Sequence, residues 1–526
     1  MLTARELDLR NSTLTKPLSL RGAVIGQLIC GGAQLTGRDG HGYALTARGL
    51  KVSGIAHLDD GFTAAGAIRL AGAEIGQLRF DGARLTGRDG HGYALIAGGM
   101  KVSGNVYLDK GFTAAGAIRL SGAEVGQLIC DGARLNRCDD RGYALTAHGM
   151  KASGNVYLNQ KFTAAGTVSL TSAHVGGSVR LSGAKIGQPR HDGARLTDTD
   201  RDYYALNAAR MEVNGNVYLD DRFTAAGTVS LASAHVGGSV VLDPAEPAGT
   251  DEAFKFTAIR AQIAGALRWA PKRPLSGQVN LEGATVGQLE DNEGEDNWRD
   301  RPNGFWPADG RLRLDGFTYG RFGGPNQPSV DDRLKWIRGQ YQRRAGHGPA
   351  DFATQPYEQL AAVYRQAGLD GQARKVAIAR RADLRKYGDL TPYRRFGNWF
   401  LDWSIQYGYQ TWRAVLYLAA LFMIFLVLSI VGMRQHVIVP IGDIKGLHPV
   451  PSATQCTSSY PCFYPAGYAV DTVIPIINVH QADNWGPDGS APWGQAFVVS
   501  TWIATGLGWA LATLLVAGYT GLVRRD

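Results

Sequence analysis

Four groups of residues in this sequence could do chemistry. The first recurs: Gly37-Arg38-Asp39-Gly40-His41-Gly42 returns fifty residues later as Gly87-Arg88-Asp89-Gly90-His91-Gly92. Asp and His are hard or borderline ligands, so a metal or anion site is conceivable there. Nothing in the spacing demands one, and these residues read as solvated loop. The second group is the carboxylate pairs Asp139/Asp140 and Asp220/Asp221, which fall in corners or loops and read as solvated too. The third is Cys456 and Cys462 in "QCTSSYPCFYP", a candidate disulfide wherever the compartment is oxidising. The fourth is a basic run, Arg380, Arg381, Arg385, Lys386, Arg394 and Arg395, suited to anionic lipid. Phosphate-loop, H-E-x-x-H, C-x-x-C and G-x-S-x-G motifs are absent from the sequence. "GLGWAL" (Gly506 to Leu511) lacks the third glycine of a dinucleotide fingerprint and sits in an apolar run. No catalytic residue can be named, and no cofactor or metal is indicated.

The elements that would carry these groups are set by repetition. "GYALTARGLKVSG", "GYALIAGGMKVSG" and "GYALTAHGMKASG" begin at Gly42, Gly92 and Gly142, a step of 50. "YYALNAARMEVNG" begins at Tyr203, a step of 61 whose excess "VRLSGAKIGQ" (Val179 to Gln188) fills as an added pair of units. Inside each repeat runs a shorter beat. Ile68, Leu70, Ala73, Ile75, Leu78, Phe80, Ala83 and Leu85 are spaced 2, 3, 2, 3. A strand alternates with period two. Here the alternation lasts three residues, and then the chain turns. Glycine, 69 residues in all, stands at many corners, where positive φ costs it nothing. Four such sides close a coil of roughly 20 residues. "TGRDGHG" (Thr86 to Gly92) breaks the beat and reads as a loop on alternate coils. Cys30 and Cys130 occupy apolar positions and read as core filler.

"A-E-I-G-Q", "A-R-L-T-G", "A-H-V-G-G" and "A-K-I-G-Q" resemble the units of pentapeptide-repeat proteins. The resemblance covers about Leu7 to Leu289, although half the pentads carry Ile, Val or Leu where that family places Ala. It implies a mainly β fold, a right-handed four-sided β-solenoid. About a dozen coils spaced ~4.8 Å would make a rod roughly 55–60 Å long.

The expected organisation is a solenoid over 1–290, then a loop and cap coil over 291–330 around "RLRLDGFTYGRF". A basic helical segment follows over 331–395, with 14 basic against 7 acidic residues. Within it "YEQLAAVYRQAGLDGQARKVAIARRADLRKYG" resembles one tetratricopeptide hairpin. An interfacial stretch and a first span take 396–433, an extracytoplasmic loop 434–495, and a second span with a basic tail 496–526. The spans are Ala414–Gly432 and Ala496–Val523, both uncharged. Basic residues before the first span, with Arg524 and Arg525 after the second, place both termini in the cytoplasm. The absence of a signal-peptide core at the N-terminus agrees, as does the placing of Cys456 and Cys462 in the external loop. Residues 464–485 of that loop read as interfacial or re-entrant. Span, half-span, span is also the order in simple two-helix channels. A T-V-G-Y-G-like filter is absent, and one subunit cannot line a pore.

The whole architecture resembles bacterial membrane proteins labelled "membrane-associated oxidoreductase", through "QPYEQLAAVYRQAG" (Gln355 to Gly368) and "FYPAGYAVDTVIPIINV" (Phe463 to Val479). That likeness implies an oxidoreductase at the plasma membrane. The residues themselves favour a non-enzymatic scaffold, with a channel-like or membrane-permeabilising module as a further alternative. Expected partners are membrane lipids and a protein, or a second copy, on the solenoid. The solenoid's 31 basic and 26 acidic residues form no dense basic stripe, so nucleic acid is not expected.

Overall fold

Leu18, Leu45, Ile68, Leu95 and Ile118 stack directly over one another in parallel register. Successive coils are therefore 27 and 23 residues long in alternation, longer than the bare pentad count because corners and loops add residues. The computed structural model describes residues 2–187, 203–245, 253–271, 275–291, 305–307, 310–324, 327–341, 352–388, 391, 393, 412–441, 452–456, 460–474 and 476–519. They belong to two units, 1–377 and 378–526, each taken by itself below.

The first unit is a four-sided β-solenoid. Its first side is a parallel sheet of twelve strands from Leu18–Ser19 to Leu312–Arg313, which mark eleven turns. The second side stacks Ile25, Val52, Ile75, Val102 and Val125, the third Leu28, Ala56, Leu78, Val106 and Leu128. The fourth stacks Leu14, Leu35, Ala64, Leu85 and Ala114. Each side is so short that one or two side chains face inward before the chain turns. This produces the 2, 3, 2, 3 spacing, and those positions are buried, except Leu14 and Leu18 of the first coil, which are half-buried. Phe62, Phe80 and Phe112 meet edge-on at 6.4 and 6.1 Å inside the column. Cys30 and Cys130 are buried in it. Burial pushes the Cys30 thiol up to about 12, which keeps it an inert filler.

The 61-residue step has a different origin from an added pair of units. Val179–Arg180 stack on Val156–Tyr157, and Lys185–Ile186 on Thr163–Ala164, as ordinary third and fourth sides. The added residues fall mainly between Ile186 and Tyr204, largely outside the described residues.

The corners separate the glycines into two kinds. Between the first and second sides the chain makes a four-residue turn, as in Leu120–Ala123, closed by Ala123 N donating to Leu120 O at 3.0 Å. Its third residue has positive φ, +64° at Gly122, with open space around it. Ser172, Arg210, Ser233 and Arg260 take the same conformation in other coils. Between the second and third sides lies a continuous spine: Gly76, Gly104, Gly126, Gly154, Gly177, Gly215, Gly238 and Gly265. Each donates its N–H to the carbonyl of the glycine before it, at 2.7 to 2.9 Å. A Cβ on Gly126 would lie 2.5 Å from Gly104 O, and one on Gly265 would lie 2.7 Å from Gly238 O. Here it is backbone contact, not φ, that requires glycine.

The C-terminal end of the solenoid is closed by helices α1 (Val330–Arg338) and α2 (Gln355–Gln366). Arg333 donates to both oxygens of Asp291 at 2.6 and 2.8 Å, with both side chains fully buried. Trp306 Nε1 donates to the same carboxylate at 2.9 Å and its ring stacks on Trp269 at 4.4 Å. Removing one member of such a pair strands a buried charge, at a cost of about 3–5 kcal/mol. On α2, Gln355 and Gln359 lie one turn apart on one face. Gln355 accepts from Gly316 N at 3.0 Å and donates to Phe317 O at 3.1 Å, and Gln359 donates to Tyr319 O at 2.6 Å. The two amides thus occupy backbone groups that a further coil would have used. Helix α3 (Asp370–Tyr387) follows.

The second unit contains two helices long and apolar enough to cross a membrane, Trp412–Arg434 and Gly494–Tyr519. A short helix, Pro465–Val473, packs against both. Strands Ile438–Pro440 and Trp485–Pro487 pair beside them. The outward residues of the long helices, such as Ile424, Val427, Trp502 and Ile503, are exposed and apolar.

The two kinds of glycine should respond differently to a methyl group. Gly122→Ser should cost about 1 kcal/mol, the ordinary left-handed penalty. Gly126→Ala should cost ~2–3 kcal/mol, because the coils must separate. Urea unfolding of the detergent-solubilised chain checks this; equal losses would contradict the division.

Candidate functional site

A regular charged stripe lies on the second side of the solenoid. The outward position of each coil here reads Lys51, Glu74, Lys101, Glu124, Lys151, His174 and Glu212 in stacked order. Charge therefore alternates coil by coil until His174. Lys51 pairs with Glu74 at 3.0 Å, Glu124 lies 3.8 Å from Lys101 and 3.7 Å from Lys151, and His174 is 3.1 Å from Glu212. Half or more of each Lys side chain is exposed, so these pairs contribute little to stability. Lys101, Glu124, Lys151, His174, Glu212 and Asn214 line a shallow groove of about 750 Å³. The stripe was hard to see in the sequence, because its members recur only once per coil, 23 or 27 residues apart and, from His174 to Glu212, 38.

A cluster of titratable groups runs along the corner between the third and fourth sides, where Asp59, Asp81 and Asp109 follow one another up the coils. Arg79 donates to Asp81 and lies 3.5 Å from Asp59, while His57 meets Asp59 at 3.0 Å. Lys110 stands 3.6 Å from Asp81, and the Arg79 guanidinium lies 5.2 Å from the Tyr107 ring centre. Burial raises Asp109 to about 7, and its hydrogen bond with Asp81 and the Asp81 charge add to the rise. Burial opposes ionisation of Asp81 as well, yet hydrogen bonds with Asp109 and Arg79 hold it below the usual range. Two stacked carboxylates thus share one proton near neutral pH. The neighbouring Asp131 is raised, chiefly by burial.

The Gly-Arg-Asp-Gly-His-Gly loops, and the corresponding loop 136–142 one repeat later, lie between the fourth and first sides; Asp39 is half-buried there, and Asp89 and Asp139 are buried rather than solvated. Asp89 and Asp139 are 6% and 4% exposed. Each folds its own loop: Asp89 accepts from His91 N at 3.0 Å and Tyr93 N at 2.9 Å, and Asp139 does the same from Arg141 and Tyr143. Each also binds the loop two coils earlier. Tyr43 Oη donates to Asp89 at 3.3 Å, and Tyr93 Oη to Asp139 at 2.8 Å. Burial, then this bond to Asp139, raises Tyr93 to about 12. His41 and His91 remain exposed. Among the described residues no group of three or more His, Cys, Asp or Glu side chains is arranged to hold a metal ion. The Asp220 carboxylate accepts from Ser182 Oγ.

In the second unit Cys456 and Cys462 are joined, with Cα atoms 4.9 Å apart. Of the basic run, Arg380, Arg381 and Arg385 are half-buried and each has an interaction partner. Lys386 is exposed, its ammonium 5.0 Å from the Tyr387 ring centre. Arg394 and Arg395 lie outside the described residues. No protein-family model, curated protein or solved structure matches the chain.

The shared proton gives a pH dependence. The folded chain holds it up to about pH 7, whereas an unfolded aspartate releases it near 3.8. Stability therefore falls as pH rises through that window and stays lower above it. Asp109→Asn should raise the unfolding temperature at pH 8 and narrow the difference between pH 5 and pH 8. A variant whose pH dependence equals that of the parent chain would exclude the shared proton.

Proposed function

We propose that this chain is a membrane-anchored scaffold whose solenoid presents its alternating Lys/Glu stripe to a protein partner of complementary charge pattern. One observation carries the reading. The stripe is exposed and regular, and its ion pairs are too solvated to serve stability, so its charges are available for recognition. A photo-crosslinking residue at Lys101 or Lys151, in cells carrying the full chain, tests it. A discrete crosslinked protein is expected, which Glu74→Lys and Glu124→Lys together should reduce at least tenfold. Absence of any crosslink at both positions would overturn the reading.

The two apolar helices serve in this reading as bilayer spans at a bacterial plasma membrane. The basic excess over 331–395 and Arg524 and Arg525 favour a cytoplasmic solenoid, with Lys386, Arg394 and Arg395 suited to anionic headgroups. Cys456 and Cys462 would then face outward. After mild external reduction of intact cells, a membrane-impermeant maleimide should label both. Labelling only after permeabilisation would reverse the orientation.

A further inference from the structure

The short helix Pro465–Val473 enters the second unit and stops halfway. Its Val473 carbonyl lies against Gly508, where an added Cβ would come within 2.1 Å of it. Gly508 is fourteen residues into the helix Gly494–Tyr519, about 21 Å from its start at 1.5 Å per residue. Higher up, Tyr468 packs on Phe425 at 6.1 Å and on Phe463 at 5.5 Å. The chain then turns back to the side from which it came. Asp471 fixes the returning limb, accepting from Val479 N at 2.6 Å, Gln481 N at 2.6 Å and Ala482 N at 3.0 Å. Gln481 Oε1 in turn accepts from Tyr464 N at 2.9 Å, so entrance and exit lie together. If the long helices span a bilayer, this segment is re-entrant, and its helix ends near mid-depth.

That placement creates a requirement. Irregular backbone at membrane depth cannot face lipid, because its N–H and C=O groups find no partner there. It survives only under protein or along water. Yet Ile476, Ile477, Asn478, Val479 and His480 form a continuous exposed limb, with Ile476 73% accessible. Among the described residues, two long helices and one half-length helix cannot enclose a water-filled space by themselves. Both solutions therefore call for further protein. Further copies meet both at once. Around a closed rotation axis each limb is covered by the next, and the negative C-terminal ends of the short helices share one hydrated centre. The limb is mainly apolar, and the His480 ring is already paired with Asp483 at 2.9 Å, so nothing in it calls for a charged partner.

We infer that this chain assembles with copies of itself through the re-entrant limb Ile476–His480, around a common axis in the membrane. The surface is separate from the charged stripe, so either reading can fail without the other. The full chain in lipid nanodiscs, sized by mass photometry, tests it. A multimer of defined number is expected, and Ile476→Asn with Ile477→Asn should lower its fraction at least tenfold with the circular dichroism spectrum unchanged. In a second measurement, Ile477→Cys in membranes, with Cys138→Ser, should give an oxidant-dependent dimer band. A monomeric parent chain, or a multimer that persists in the double variant without that band, overturns the inference.

Discussion

Everything in the solenoid depends on how closely one coil can approach the next at the corner between the second and third sides. There the backbone of each coil donates directly to the backbone of the one before, from Gly104 to Gly76 and on through Gly265 to Gly238. A side chain would sit where the neighbouring carbonyl already is. This contact sets the spacing along the column, and the spacing sets the rest. The Phe62, Phe80 and Phe112 rings meet because their coils are held at that distance. Asp81 and Asp109 are forced into proton sharing for the same reason. The charged stripe is regular because its scaffold is.

The column needs an end as well as a period. At its C-terminal end the chain leaves off repeating and uses helices, a buried Arg333–Asp291 pair and stacked tryptophans to cover the last coil. Gln355 and Gln359 finish the open edge of the final strand with side-chain amides. A helix thereby does the hydrogen bonding of a strand. Tyr357 and Tyr364 of the helix that covers the last coil are buried in this work.

Much of this was legible. The pentad beat reports inward positions directly, so stacked miniature strands follow from runs such as Ile68, Leu70, Ala73 and Ile75, the four sides from the likeness to pentapeptide-repeat units, and the two apolar helices from hydropathy. Other features were hidden for physical reasons. Gly122 and Gly126 are the same letter four residues apart, but one relieves a dihedral and the other a collision. Asp89 and Asp139 look solvated because their loops are polar, whereas their burial comes from tyrosines 46 residues earlier in the chain. Arg333 and Asp291 are separated by 42 positions and by a change of secondary structure. The stripe recurs at a period far longer than any local pattern.

The tyrosine-to-aspartate links also fix how such a rod can change length. Tyr43 reaches Asp89 and Tyr93 reaches Asp139, each skipping the intervening coil. Adding or deleting one coil would leave a phenol facing a corner that lacks its carboxylate. Between Tyr43 and Asp139, a change of length keeps these links only if it comes in pairs of coils, fifty residues and roughly 10 Å at a time. That stretch of the column is graduated in double steps, and a single added coil would put it out of phase.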